Sequence, residues 1–282
     1  MRTPIAFFVL SLSLAWALPA AADEWTKSFS VSDGASIRLE TNDGRVSVTS
    51  WDRPEIAIHV RTEGWKIGTQ VKVDATQDGS SVTFSAHVPS MSFMMFTDHW
   101  FHIEVSVPRH CDVDVRTSDG AVSLEQIHGR VLAKTSDGRI SATDLSGDIE
   151  LRTSDGGIGA HGLDGRLAAG SGDGSISVSG RFDSLDLSSS DGRITARAEG
   201  GSKLADGWNL DASDGSISLR IPGDLKADLD ASTGDGGITV DIPVQVQGEW
   251  HAEHRRLNGT LNGGGPPLRV RTADGSIRIE KI

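Results

Sequence analysis

Residues 117–134 read TSDGAVSLEQIHGRVLAK, residues 135–152 read TSDGRISATDLSGDIELR, residues 153–170 read TSDGGIGAHGLDGRLAAG and residues 171–188 read SGDGSISVSGRFDSLDLS. Laid over one another, these lines contain two periods. An aliphatic residue recurs every nine positions, at Val122, Val131, Ile140, Ile149, Ile158, Leu167, Ile176, Leu185 and Ile194. Two residues further on stand Leu124, Ala133, Ala142, Leu151, Ala160, Ala169, Val178, Leu187 and Ala196, so each unit carries a short alternating strand signal. Two residues before the aliphatic is a glycine, at 120, 129, 138, 147, 156, 165, 174 and 192, and only Asp183 departs. Asp119, Asp137, Asp155, Asp173 and Asp191 precede every second glycine, which sets the full repeat at eighteen.

A period of this kind predicts stacked coils, each packed only on its neighbours. Nine residues hold about five of strand and about four of turn, so two units make one coil. The expected fold is all-β: a β-solenoid of the parallel β-helix or β-roll kind, with 18-residue coils built of two 9-residue units. Each aliphatic then stacks on its counterpart about 4.7–4.9 Å away along a parallel sheet. The frequent Ala at the second inward position predicts a thin, flattened core. Asn-Gly and Asp-Gly corners fit because Gly accepts positive φ and the Asp side chain can bond the turn's own amides.

Working outward, residues 25–62 read as consecutive strands, and Thr41 to Val46 already matches the repeat. The period is lost between Gly64 and Val107, where Met91 to His102 holds Met91, Phe93, Met94, Met95, Phe96, Trp100 and Phe101. An uncovered solenoid end exposes strand edges and apolar surface, so this stretch reads as a loop folded over an end or side; a partner-binding patch is the alternative. After Ala196 the corner aspartates fall at Asp214, Asp235 and Asp274, in steps of 23, 21 and 39, so loops are inserted between coils. Leu268 to Ile279 returns to the repeat and is expected to cap the C-terminal end.

The N-terminus has the form of a secretory signal peptide: Arg2, an apolar stretch from Ile5 to Leu18, then Ala20, Ala21 and Ala22. The expected organisation is a signal peptide at 1–22 and a single β-solenoid domain at 23–282. Within it, 23–112 holds irregular strands and a capping loop, 113–197 the regular repeats, and 198–282 looser coils and a cap. Export would leave the chain in the periplasm, secreted or at the cell surface. The apolar run is short for a membrane span, and no transmembrane segment is expected in the mature chain. The formal charge is −12, and −13 once Arg2 is removed, which argues against nucleic acid or an anionic membrane as partner. Cys111 is the only cysteine, so the chain cannot staple itself by a disulfide.

Trp51 to Pro54 followed by a strand, Val107 with Pro108 ahead of the repeats, the TSDG corners, and Leu261 to Gly265 before a last TADGSI strand resemble the bacterial putative-adhesin family of β-strand-repeat envelope proteins. The resemblance spans nearly the whole mature chain. It implies an exported β-solenoid without established catalysis, a domain of unknown function.

In register, the carboxylates of Asp119, Asp137, Asp155, Asp173 and Asp191 lie roughly 5 Å apart, a separation at which two charges repel by about 0.8 kcal/mol in water. Such a row is either solvated, with Arg139 and Arg193 partly screening it, or bridged by cations. Calcium-binding β-rolls place Asp between turns, but there Asp sits two before the inward aliphatic, whereas here Gly holds that place. A polysaccharide lyase or hydrolase needs two carboxylates in divergent environments, and these recur with the repeat instead. His99, His102, His110, His251 and His254 lack the partners of a zinc site. Trp65, Trp208 and Trp250 either pack or stack on sugars. The sequence therefore points to a non-enzymatic, adhesin-like or structural binding role at the cell envelope. A calcium-binding β-roll and a polysaccharide-active β-helix are the alternatives. No catalytic residue and no cofactor is assigned, and the partner classes are an envelope protein or a glycan.

Overall fold

The computed structural model describes residues 22–88, 100–246 and 255–282. Residues 1–21 of the expected signal peptide, Met91 to His99 of the aromatic stretch, and Trp250, His251 and His254 lie outside them. Before the regular repeats come β1 (Asp23–Ser30), β2 (Ser36–Thr41), β3 (Arg45–Trp51), β4 (Glu55–Glu63), β5 (Lys72–Asp78), β6 (Ser81–His87) and β7 (Trp100–Pro108). The repeats form β8 (Asp112–Arg116), β9 (Val122–Glu125), β10 (His128–Lys134), β11 (Ile140–Thr143), β12 (Ser146–Thr153), β13 (Ile158–Ser171), β14 (Ile176–Ser189) and β15 (Ile194–Ala198). Then follow β16 (Trp208–Ala212), β17 (Ile217–Ile221), β18 (Ala227–Thr233), β19 (Ile238–Asp241), β20 (Val244–Val246), β21 (Arg256–Leu261), β22 (Pro267–Thr272) and β23 (Ile277–Lys281). The described chain is all-β and solenoid-like, with no helix among the described residues.

The strands lie in two faces. One runs β5–β6–β2–β8–β10–β12–β13–β14–β16–β22–β18–β21–β20, the other β1–β4–β7–β3–β9–β11–β13–β14–β15–β17–β23–β19. β13 and β14 bend through a corner and pair on both faces. Parallel pairing sets Val113, Val131, Ile149, Leu167 and Leu185 side by side on the first face. Val46, Val122, Ile140, Ile158, Ile176, Ile194, Ile217 and Ile277 follow one another on the second. All of these are buried, as are Ala133, Ala142, Ala160, Ala169 and Ala196 beside them. Burial of each large aliphatic stabilises by about 1.5–3 kcal/mol, so the stacked rows are the main cohesive term.

A third buried row lies inside the second corner, at Ile127, Leu145, Leu163 and Phe182. Asp183 breaks the glycine series because β14 shifts register against β13 there, so that Phe182 pairs with Gly165 and Ser184 with Arg166. Phe182 meets Trp208 edge-on, with ring centroids 6.3 Å apart.

The C-terminal strands differ from expectation. β22 and β23 do not cap the stack; they slot between the coil of β16 and β17 and that of β18 and β19. The end is formed instead by β19 on one face, and on the other by β21 and β20, which pair antiparallel beyond β18. At the N-terminal end β5 pairs antiparallel with β6 on one face, and β4 with β7 and β1 with β4 on the other, so antiparallel strands flank the outermost parallel strands there. Strand reversal of this kind stops a parallel edge from templating another coil.

Candidate functional site

The TSDG corner is assembled from its interior. Thr153 is buried; its Oγ1 accepts the N–H of Gly156 at 3.1 Å and donates to the carbonyls of Ser136 at 3.0 Å and Gly138 at 3.2 Å in the coil before. Thr135, Ser171, Ser189 and Thr272 repeat the pattern, and Thr233 makes it in part. One hydroxyl thus satisfies an amide of its own corner and ties that corner to the one before it.

The aspartates do something else. Their backbone amides continue the stack, Asp137 N to Ser118 O at 3.1 Å and Asp155 N to Ser136 O at 2.9 Å. Their side chains are exposed, and none of Asp119, Asp137, Asp155, Asp173 or Asp191 makes a side-chain hydrogen bond or ion pair among the described residues. Among the described corner aspartates, Asp43, in the corner before β3, alone has its carboxylate on the turn amide, that of Gly44. The local bond expected of Asp is therefore made by Thr or Ser two residues earlier. Among the described residues no group of three or more His, Cys, Asp or Glu is placed to hold a metal ion.

The glycine reason also differs from expectation. Of the corner glycines after Asp or Asn-Asp, Gly44 has positive φ (94°), but Gly120, Gly138, Gly156, Gly174 and Gly192 do not. They are glycine because a Cβ would fall closer than 3.0 Å to the carbonyl oxygen of the preceding coil's glycine. Close stacking, not handedness, selects them.

Outward on the second face, Ser47, Ser123, Ser141, Gly159, Ser177, Thr195 and Ser218 fall in one row across paired strands. At its start Ser47 Oγ lies 3.1 Å from His102 Nε2, and His102 Nδ1 lies 3.7 Å from Glu104 Oε1. The order Ser, His, Glu suggests acyl transfer, but the geometry opposes it. The second distance exceeds a hydrogen bond, Glu104 is held by Arg61, and β3 is paired on both edges, leaving no backbone N–H to act as an oxyanion hole. Burial pushes the His102 imidazole below its ordinary value; Glu104 opposes this, while Arg45, Arg61 and His59 add to it. His102 clusters in sequence with His99 and His110, but strand pairing sets it opposite Arg45 and its ring reaches Ser47.

Trp208 and Trp65 are packed rather than exposed. Trp208 Nε1 donates to Lys203 O at 3.0 Å. His110 and His128 lie against each other with centroids 5.5 Å apart. Cys111 is buried, and burial, with Asp112 nearby, pushes its thiol up to about 12, so it is held as the unreactive thiol. Arg109 pairs with Asp52 at 2.5 Å and lowers the Asp52 carboxyl through that bond.

At the first corner, near the N-terminal end, Asp43, Arg45, Trp65, Trp100, His102 and Asp119 line an open cleft of about 440 Å³. Trp100 is one of the few large apolar side chains exposed among the described residues, at 40%. Neither Arg45 nor Asp119 was singled out from sequence as a partner of Trp100, because the three belong to different coils.

The profile of the family described as Toastrack DUF4097 matches residues 28–280. The chain belongs to that family. This agrees with the adhesin-like β-strand-repeat resemblance carried by the corner motifs. Among solved structures, a putative cell adhesion protein from Clostridium sporogenes is similar at 10% identity and TM-score 0.32, covering 93% of this chain and 100% of its own. A putative lipid binding protein from Parabacteroides distasonis is similar at 16% identity and TM-score 0.46, covering 92% of this chain and 97% of its own. A putative adhesin from Bacteroides fragilis stands at 10% identity and TM-score 0.36, with 92% of this chain and 97% of its own covered. No curated protein matches the chain.

Proposed function

We propose that this Toastrack protein is a non-enzymatic, adhesin-like binding or structural protein of the bacterial cell envelope. Residues 1–22 direct its export, and residues 23–282 form one β-solenoid domain, whose regular part, 113–197, is built of 18-residue coils of two 9-residue units. Supporting the coil length are the parallel registers Val131 with Ile149, Ile149 with Leu167 and Ile140 with Ile158. The observation that carries the binding reading is the outward row from Ser47 to Ser218. Small side chains, hydroxyl-bearing at every position but Gly159, stand at strand spacing on a face whose backbone is hydrogen-bonded along both edges, giving a flat, rigid lane that presents similar groups repeatedly. A lane of repeated small polar groups suits an extended partner better than a single reacting bond.

The test is a screen of residues 23–282 against a glycan array and purified envelope proteins, with product analysis in parallel. Saturable binding without turnover is expected, weakened at least tenfold by Ser141→Trp with Ser177→Trp, whose side chains point into solvent. Release of products from a polysaccharide, or binding to nothing on either panel, would contradict the proposal.

A further inference from the structure

The cleft beside Trp100 breaks the repeat. In the regular coils the first corner is a four-residue TSDG turn, but between β6 and β7, in the outermost parallel coil, the chain runs from His87 to Trp100. The described aromatic lining of the cleft is Trp65, Trp100 and Phe101. Its floor is kept low by Gly44 and Gly120: a Cβ on Gly44 would strike Phe101, and one on Gly120 the Gly44 carbonyl.

We infer that this cleft is a binding site for a neutral oligosaccharide. The indole of Trp100 is 40% exposed, and its Nε1–H is already given to Glu63 Oε2, the residue paired with it across β4 and β7. That bond fixes the ring and leaves its apolar face as a platform, the arrangement that suits the C–H face of a sugar ring. Around it stand a carboxylate, Asp119, and a guanidinium, Arg45, neither with a hydrogen bond or ion pair among the described residues, together with Asp43 and the half-buried His102. These supply acceptors and donors for hydroxyl groups. The volume of about 440 Å³ lies within the roughly 300–1,000 Å³ of small-ligand clefts, and the open side lets a longer chain continue outward. The net charge of −12 and two carboxylates in the lining disfavour an anionic glycan.

The inference rests on the binding role proposed above and names its ligand class. Titrate residues 23–282 with cellohexaose, maltohexaose and chitohexaose, following tryptophan fluorescence and heat. At least one is expected to bind in the micromolar to millimolar range, with Trp100→Ala weakening it tenfold or more, Asp119→Ala and Arg45→Ala weakening it severalfold, and Trp100→Phe retaining most affinity. Unchanged thermal unfolding of Trp100→Phe and Arg45→Ala shows that the fold is intact. No binding by any of the three, or equal binding by Trp100→Ala, overturns the cleft. If envelope proteins or other glycans still bind in the screen, the general role stands and only the cleft falls; if nothing binds in either experiment, both fall.

Discussion

Gly156→Ala is expected to destabilise the protein by about 3 kcal/mol, near the upper end of what overpacking costs. Gly156 is buried in the corner between β12 and β13, and an added Cβ would come closer than 3.0 Å to the oxygen and carbon of Gly138 and to the Thr153 hydroxyl. Two of those atoms are backbone, and Gly138 is itself pressed on Gly120, so there is no flexible side chain to move aside. Relief would require separating coils whose registers are locked on both faces. Gly159→Ala is the control, only three residues away. It lies in β13 with nothing within 4 Å of its would-be Cβ, and the change is expected to fall within about 0.5 kcal/mol of zero, on the stabilising side, because Ala restricts the unfolded chain. Urea unfolding of the two variants beside the parent checks both.

Thr153→Val should cost about 2–3 kcal/mol while Thr153→Ser costs less than about 1 kcal/mol. Val keeps the shape of Thr but leaves the buried Gly156 N–H without its acceptor and the Gly138 carbonyl without its donor. An orphaned buried group costs about 1–3 kcal/mol. Ser restores both bonds, and Ser171 and Ser189 already make them in their own corners. The chain contains one corner of the deleted kind: Ala212 occupies the Thr place before Gly215. One missing staple is therefore compatible with the fold, which keeps the expected loss moderate. Thermal unfolding of the Val and Ser variants separates lost hydroxyl from lost volume.

The aliphatic rows were legible because a period of nine is too regular for anything except stacked strands, and each buried Ile falls where alternation puts it. The interior row of Ile127, Leu145, Leu163 and Phe182 was missed since its members sit next to the less uniform corner, outside the alternating stretch. The Thr staple was missed for a different reason. In a corner rich in Ser, Thr and Asp, composition does not say which oxygen turns inward; the signal was the fixed place three residues before the glycine, held by Thr135, Thr153, Ser171 and Ser189 alike. Strand order at the C-terminus was not readable, because β18 and β22 carry the same inward pattern and a long connection lets either take the inner place. The cleft joins Arg45, Trp100 and Asp119 from three coils, and only the order β7–β3–β9 brings them together.

A corner is built from the inside, with the hydroxyl and the glycine carrying it and the carboxylate left in water. The direct test is thermal unfolding of the triple variant Asp137→Ala, Asp155→Ala, Asp173→Ala beside the parent chain, each with calcium and with chelator. The midpoint of the triple variant is predicted to equal or exceed that of the parent, because like charges at strand spacing are removed, and chelator is predicted to leave both unchanged. A midpoint several degrees lower in the triple variant, or a parent transition that falls when calcium is withdrawn, would contradict it.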